Sequence, residues 1–275
     1  MFPPTVIVGL HGTLTRHPWF DRVVEQDAEG TVEEDLLGRA VDRAGSYGWQ
    51  TVSSALHEDG RITARHEPTA WAHEEVGGDW TQDGAVHRLA WLQAGVLTDP
   101  PRPGLPVRPV VLVLSETLAR VGAVTFTGLH ALLPLQAVGR NTAFHQIELA
   151  PWFDLADPDA RHEVLVTVAR RTGVAGGMGA DDAVAVCEAV RHMAQGAVEV
   201  FVPVTEGAAA AGDLAGLDLD LDGALHTEGM REVLRLGCRT REWSPDVAVW
   251  LLEMVAEGVR GVGRPAPVVV TVSLA

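Results

Sequence analysis

The chain has 275 residues, 47% of them hydrophobic, and its 37 acidic and 21 basic side chains give a formal net charge of −16. Lysine is absent, so every basic side chain is an arginine. This excludes enzymes that form a Schiff base through a lysine, pyridoxal phosphate enzymes among them, and nucleotide sites with a phosphate-loop lysine. The negative charge disfavours nucleic acid as a partner, because it repels the phosphate backbone.

Residue usage indicates the source and the compartment. Asparagine and tyrosine occur once each and isoleucine three times, and these residues share AT-rich codons with lysine, which is typical of a GC-rich bacterium. No apolar run reaches the roughly 20 residues of a membrane helix. The N-terminus lacks the basic flank and the cleavage site of a signal peptide. We therefore expect a cytoplasmic protein with no membrane partner.

Runs of β-branched residues predict strands, and capping residues with glycine or proline near the ends predict helices. Taken in chain order, the predicted elements are a strand at Thr5–Leu10, a helix after the capping box Thr31–Glu34, strands at Gln50–Leu56 and Arg61–Arg65, a helix at Asp83–Ala94, strands at Val107–Leu114, Val121–Leu129 and Thr142–Leu149, helices at Asp157–Gly173 and Asp181–Gly196, a strand at Val198–Val204, helices at Glu228–Leu236 and from Ser244, and a strand at Pro267–Leu274.

These elements predict an α+β fold with a mixed or antiparallel sheet and helices packed on it. Residues 1–117 form a first half in the order β–α–β–β–α–β, the split βαβ order of ferredoxin-like domains, and residues 118–275 form a decorated version. The tetrapeptide Pro-Trp-Phe-Asp occurs at 18–21 and again at 151–154. The sequence therefore predicts two ferredoxin-like halves, from an internal duplication, that share one core.

The dipeptide Leu-His occurs four times, ending at His11, His57, His130 and His226, where about one occurrence is expected by chance. The first three follow predicted strands, so their imidazoles converge if the strands end on one edge of a sheet. Converging neutral imidazoles bind zinc, iron or copper, or share acid–base work. We therefore predict His11, His57 and His130 as catalytic residues and as ligands of a transition metal. The alternative is three half-exposed polar side chains.

A second group of candidates surrounds the predicted strand Thr142–Leu149. His130 and His145 come together if this strand pairs with the preceding one, and Glu148 then serves as an acid or as a partner that orients a histidine. Arg140 can hold a substrate carboxylate through its planar guanidinium. The alternative is an ordinary strand pair with one solvated face.

Residues 66–82 are rich in histidine and glutamate and contain Trp71 and Trp80. A long segment without predicted regular structure is often functional, so we consider a lid whose tryptophans cover a bound metabolite. The alternative is a solvated acidic loop.

The leading hypothesis is a small-molecule enzyme of primary or specialised metabolism. It uses histidine and carboxylate groups, with or without a metal, for isomerisation, cyclisation or a related proton transfer. The competing hypothesis is a non-catalytic binding or assembly protein that recognises a protein partner or a second copy of itself. The sequence does not decide between an enzyme and a binding protein.

Overall fold

The computed structural model describes residues 5–23, 32, 36–37, 53–56, 62–65, 71–96, 107–137, 150–171, 178–201, 230–262 and 266–275. Its strands are β1 Thr5–Arg16, β2 Ser53–Leu56, β3 Ile62–Arg65, β4 Trp71–Gly77, β5 His87–Val96, β6 Gly122–Pro134, β7 His162–Arg171, β8 Glu199–Phe201, β9 Met230–Thr240 and β10 Pro267–Leu274. Its helices are α1 Phe20–Val23, α2 Val107–Val121, α3 Ala150–Phe153, α4 Ala180–Ala194 and α5 Pro245–Val262, with a 3₁₀ turn at Leu135–Ala137.

Eight strands form one sheet in the order β4-β5-β1-β6-β10-β7-β9-β8, and β2 pairs with β3 separately. Every pairing in the large sheet is antiparallel. The predicted α+β class, with helices and an antiparallel sheet, is confirmed. None of the helices in the described ranges is long and apolar enough to cross a membrane.

The main core lies between one face of this sheet and the helices. Successive strand residues point to opposite faces, and Val268, Val270 and Val272 of β10 join the core that α2, α4 and α5 complete. The other face carries a smaller apolar cluster, made by Ile7, Leu132, Ala169 and Val269. Both faces of the central strands are therefore buried, which explains their nearly continuous apolar sequences.

Four predicted elements are wrong in type. The predicted helices at 83–94, 157–173 and 228–236 are largely strands β5, β7 and β9, and the predicted strand at 107–114 is the first half of α2. In β5, residues of high helix propensity such as Leu92 and Ala94 are buried against β1. In α2, the valine run locally favours a strand, but the segment forms an amphipathic helix that covers the sheet. Tertiary packing overrides local preference in both cases.

The helix predicted at 157–173 is wrong for a local reason. Asp157 precedes a proline, as at a helix start, but its carboxylate accepts the backbone N–H of Asp159 at 2.9 Å and closes a turn before β7. Aspartate caps helices and closes such turns by the same kind of bond.

The boundary predicted between residues 117 and 118 falls inside α2. The predicted strand at 142–149 lies outside the described residues.

The tight core makes a prediction about stability. Leu251 of α5 is fully buried, whereas Leu155 is 79% exposed. Truncation to alanine should therefore lower the free energy of unfolding by different amounts at the two positions. We expect Leu251→Ala to lower the free energy of unfolding by about 2–5 kcal/mol and Leu155→Ala to change it by less than about 0.5 kcal/mol. Urea unfolding of the two variants measures both values. Equal losses would show that α5 is not packed as described.

Candidate functional site

Neighbouring strands bring two of the predicted histidines together. β1 and β6 pair so that Gly9 lies opposite His130 and His11 lies opposite Gly128. The register shifts next to His11 on both sides of β1, because β5 has an extra residue at Leu89 and β6 has one at Thr127. β1 itself has no extra residue, so Gly9 and His11 point to the same face of the sheet. Both histidines lie inside their strands, because β1 continues to Arg16 and β6 to Pro134. The prediction that these strands end at the histidines is therefore wrong.

The two imidazoles share a hydrogen bond inside the protein. His11 Nε2 lies 2.6 Å from His130 Nδ1, and the ring centroids are 4.9 Å apart at an interplanar angle of 61°. His11 is 1% exposed and His130 is 0% exposed. This separation is within hydrogen-bond distance, so a proton on one of the two nitrogens is donated to the other.

Gly9 provides the space for this arrangement. A Cβ at position 9 would collide with Cε1 of the His130 ring. The absence of a side chain on β1 therefore lets the imidazole of His130 lie flat across the neighbouring strand.

The protonation of His130 follows from its surroundings. Burial, with the positive charges of His11 and Arg88 as smaller causes, holds the pKa of His130 well below its usual 6.5. His130 is therefore neutral at physiological pH. Its Nε2 atom is buried and has no hydrogen-bond partner in the part of the chain that the structure describes. An orphaned buried N–H is rarer than an under-satisfied acceptor, so we assign the proton to Nδ1, which donates to His11 Nε2 and leaves a lone pair on Nε2.

A row of polar side chains continues from His130 across the sheet. Thr271 of β10 lies opposite His130, and Thr167 of β7 lies opposite Thr271. The two threonine hydroxyls are 2.5 Å apart, and both side chains are buried. Arg235 lies opposite Thr167, and Arg88 lies opposite His11. The sheet therefore carries hydroxyl, imidazole and guanidinium groups side by side on one face.

Sequence reasoning missed the threonine pair. Each threonine stands between two valines in an otherwise apolar strand, as Val-Thr-Val at 166–168 and again at 270–272. A polar residue that interrupts such a run is a usable signal, because a buried hydroxyl needs a partner.

Most other predicted site residues fall elsewhere. The catalytic candidates His57, His145 and Glu148 and the predicted carboxylate clamp Arg140 lie outside the described residues. Trp71 lies in β4, opposite Val96, so this part of the predicted loop is a strand.

Trp80 belongs to the protein interior. It is 1% exposed, its indole N–H donates to the carbonyl of Leu89 at 2.8 Å, and its ring meets Phe20 edge to face at 5.9 Å. The prediction that Trp80 covers a substrate as part of a lid is therefore wrong, since its polar atom and its ring faces are already used in the core.

The metal hypothesis meets a geometric constraint. Two imidazole nitrogens on one tetrahedral zinc ion lie roughly 3.3 Å apart, since each bond is about 2.0 Å long. His11 Nε2 and His130 Nδ1 are 2.6 Å apart, so a proton joins these two atoms. Within the described residues no group of three or more histidine, cysteine, aspartate or glutamate side chains is arranged to hold a metal ion. A metal site that includes His57 stays a prediction.

A second histidine cluster closes the connection between β4 and β5. His87 Nδ1 lies 2.9 Å from Asp79 and its Nε2 lies 2.7 Å from Asp83. The hydrogen bond to Asp83, with the charge of Asp79, raises the pKa of His87 above 6.5. Each carboxylate also accepts a nearby backbone N–H. These bonds use both ring nitrogens, so His87 stabilises the turn and has no atom left for chemistry.

Comparison of the chain with protein-family models, with curated proteins and with solved structures finds no match. The fold and the site therefore define its class without reference to relatives: it is an α+β protein with an eight-stranded antiparallel sheet that contains a buried pair of hydrogen-bonded histidines.

The depressed pKa of His130 makes stability depend on pH. Below about pH 6.5 the unfolded chain binds a proton that folded His130 does not, so stability falls as pH falls. We expect the free energy of unfolding of the wild type, relative to that of His130→Gln, to drop by about 1.4 kcal/mol between pH 7.5 and pH 5.5. This is the value for a single group that titrates near pH 6.5 in the unfolded chain only. Urea unfolding at both pH values measures this. A pH-independent difference would show that His130 titrates normally in the folded protein.

The raised pKa of His87 can be observed directly. We expect its NMR titration midpoint to lie above 6.5 and to move back towards 6.5 in Asp83→Asn, because the strongest carboxylate acceptor is then lost. Asp79→Asn should cause a smaller change in the same direction. An unchanged midpoint in both variants would show that the carboxylates do not hold His87 in solution.

Proposed function

We propose that the protein is a small-molecule enzyme in which the pair His11–His130 moves a proton to and from a bound substrate. The observation that carries this proposal is the Nε2 of buried His130, which has no hydrogen-bond partner among the described residues and whose other ring nitrogen is hydrogen-bonded to His11 at 2.6 Å. Leaving a buried polar atom without a partner costs free energy, and a bound substrate group that donates a proton to this nitrogen removes that cost.

The proton transfer has two coupled movements. A C–H or O–H bond of the substrate breaks and its proton goes to His130 Nε2, while the proton on His130 Nδ1 goes to His11 Nε2. The positive charge therefore ends on His11 and His130 remains neutral, as its depressed pKa favours. The reverse movements return a proton to the substrate. Return to a different atom gives an isomerisation, and return after ring closure gives a cyclisation.

The surrounding side chains support the same chemistry. A substrate that loses a proton becomes negative, and Arg88 lies close enough to lower the pKa of His130 through its charge. The Thr271 hydroxyl, on the strand next to His130, can donate to a substrate oxygen. Fixed donors and charges of this kind stabilise an anionic transition state. Arg140, His145 and Glu148 stay in the proposal as the predicted carboxylate clamp and as further acid–base groups.

We also propose that the sheet consists of two ferredoxin-like halves. The second half runs β7-α4-β8-β9-α5-β10 and its strands lie in the order β8-β9-β7-β10. The first-half strands mirror this order as β4-β5-β1-β6, with α2 before β6 just as α5 precedes β10. These matching orders support a duplication whose halves join through β6 and β10, so the histidine pair lies next to the junction. The boundary then follows β6, later than residues 117 and 118.

The repeated tetrapeptide does not support the duplication. The copy at 18–21 follows β1, the first strand of its half, whereas the copy at 151–154 precedes β7, the first strand of the other half. The two copies share a burial pattern, with Trp19 and Trp152 exposed and Phe20 and Phe153 buried. They are therefore similar local structures in different places.

Deuterium exchange tests the proposed chemistry without knowledge of the substrate. Keto acids, 1,3-dicarbonyl compounds and hydroxyketones would be incubated in D₂O with the wild type, with His130→Gln and with His192→Gln, which changes an exposed histidine of α4. We expect at least one compound to lose a C–H signal by NMR with the wild type and His192→Gln. The rate should fall by about 10²–10⁴ with His130→Gln, the usual contribution of an acid–base group.

Two results would contradict the proposal. Equal exchange with His130→Gln would remove the histidine pair from the chemistry. No exchange with any compound, together with specific binding of some, would favour the non-catalytic binding protein.

A further inference from the structure

A surface groove lies on the helical side of the protein, between α2, the turn after α3 and the start of α5. Its volume is about 490 Å³. The side chains that line it include Leu112, Ser115, Trp152, Leu155, Glu242 and Asp246. The histidine pair lies on the opposite face of the sheet, so the groove is separate from the proposed proton-transfer site.

The groove exposes large apolar side chains to water. Leu112 is 53% exposed, Trp152 63% and Leu155 79%. They come from different elements and line a single depression, whereas the other large exposed apolar side chains of the described residues lie outside this groove. A clustered apolar surface of this kind marks an interaction site, while scattered exposed residues do not.

The exposed apolar side chains lie on elements that are packed against the core. Phe153, next to Trp152, stacks on Trp250 of α5 with ring centroids 4.7 Å apart, and Val111, beside Leu112, is 4% exposed. The short helix α3 is thereby held against the core. Trp152 therefore needs little ordering when it binds, which is what makes tryptophan effective at interfaces.

The polar atoms of the groove indicate the charge of its occupant. Glu242 accepts a hydrogen bond from Ser244 at 2.7 Å, and among the described side chains no cation forms an ion pair with it. Asp246 shares Arg108 with the partly buried Glu253. The Ser115 hydroxyl is buried and has no hydrogen-bond partner within the described ranges. The groove thus offers one uncompensated carboxylate and one unused hydroxyl beside an apolar surface.

We propose that this groove binds a segment of a partner protein that presents apolar side chains next to a lysine or arginine. The apolar side chains cover Trp152 and Leu155, the cation pairs with Glu242, and Ser115 hydrogen-bonds the backbone of the segment. A second copy of this chain is a poor occupant, because two acidic grooves on molecules of net charge −16 repel each other. The groove repels an anionic membrane for the same reason.

Two designed peptides test the proposal at a physiological salt concentration, which screens general attraction to an acidic protein. One is an amphipathic helix of leucine and lysine, and the other has glutamate in place of lysine. The proteins compared are the full-length wild type, Leu155→Ser, Glu242→Gln and the control Val184→Ser, which removes an exposed apolar side chain of α4 outside the groove. Fluorescence anisotropy of labelled peptide gives the dissociation constants.

We expect the lysine peptide to bind the wild type at least about tenfold more tightly than the glutamate peptide. Leu155→Ser should weaken binding about tenfold, as loss of an interface anchor does, and Glu242→Gln should reduce the preference for lysine. Val184→Ser should bind like the wild type. Because all three positions are exposed or half-exposed, the variants should fold, and circular dichroism checks this.

Three results would overturn the proposal. If Val184→Ser weakens binding as much as Leu155→Ser, attraction to the protein surface is general. If both peptides bind equally, the charge of the groove has no role. If the wild type alone forms a dimer that Leu155→Ser abolishes, the occupant is a second copy of this chain.

Discussion

The hydrogen bond between the imidazoles of His11 and His130 constrains the centre of the sheet. Two histidines lose their water here, and burial of a polar side chain is tolerable only when its atoms find partners. The glycine at position 9 makes room for the His130 ring, and the regular alternation of β1 puts His11 on the same face of the sheet as Gly9. The pair therefore depends on local backbone features as well as on the two histidines themselves.

The same constraint explains the polar row on this face of the sheet. The hydroxyls of Thr271 and Thr167 are hydrogen-bonded to each other, which uses one of their two protons, while His130 Nε2 has no partner among the described residues. If the sheet is a duplicated one, the two pairs occupy the neighbouring halves on either side of the β6–β10 junction. One half would then carry the pair of hydroxyls and the other the pair of imidazoles, a difference that a duplicated scaffold permits.

Much of the fold could be predicted where local and tertiary preferences agree. The apolar strand β10, the capped helix α5 and the helix α4 with aspartates in its first turn were all predicted from sequence and are present. Prediction failed where the two preferences disagree: β5 has helix-forming residues but lies beside β1, and α2 begins with valines but covers the sheet. These segments take their structure from neighbours distant in sequence, which a local pattern does not contain.

The site could be predicted only in part for a similar reason. The repeated Leu-His dipeptide singled out His11 and His130, and strand pairing then placed them in contact. The dipeptide did not reveal that the histidines lie within strands, nor that Gly9 and the two Val-Thr-Val segments complete their surroundings. Those relations depend on the register of four strands, which is set by the whole sheet.

The most direct test of this account is the protonation of the two nitrogens of His130, measured by ¹⁵N NMR at neutral pH with His130→Gln to identify the signals. We expect a neutral ring with its proton on Nδ1 and a bare Nε2, unchanged to well below pH 6.5. A proton on Nε2, or a charged ring at pH 6.5, would contradict the assignment of Nε2 as the atom that accepts a substrate proton.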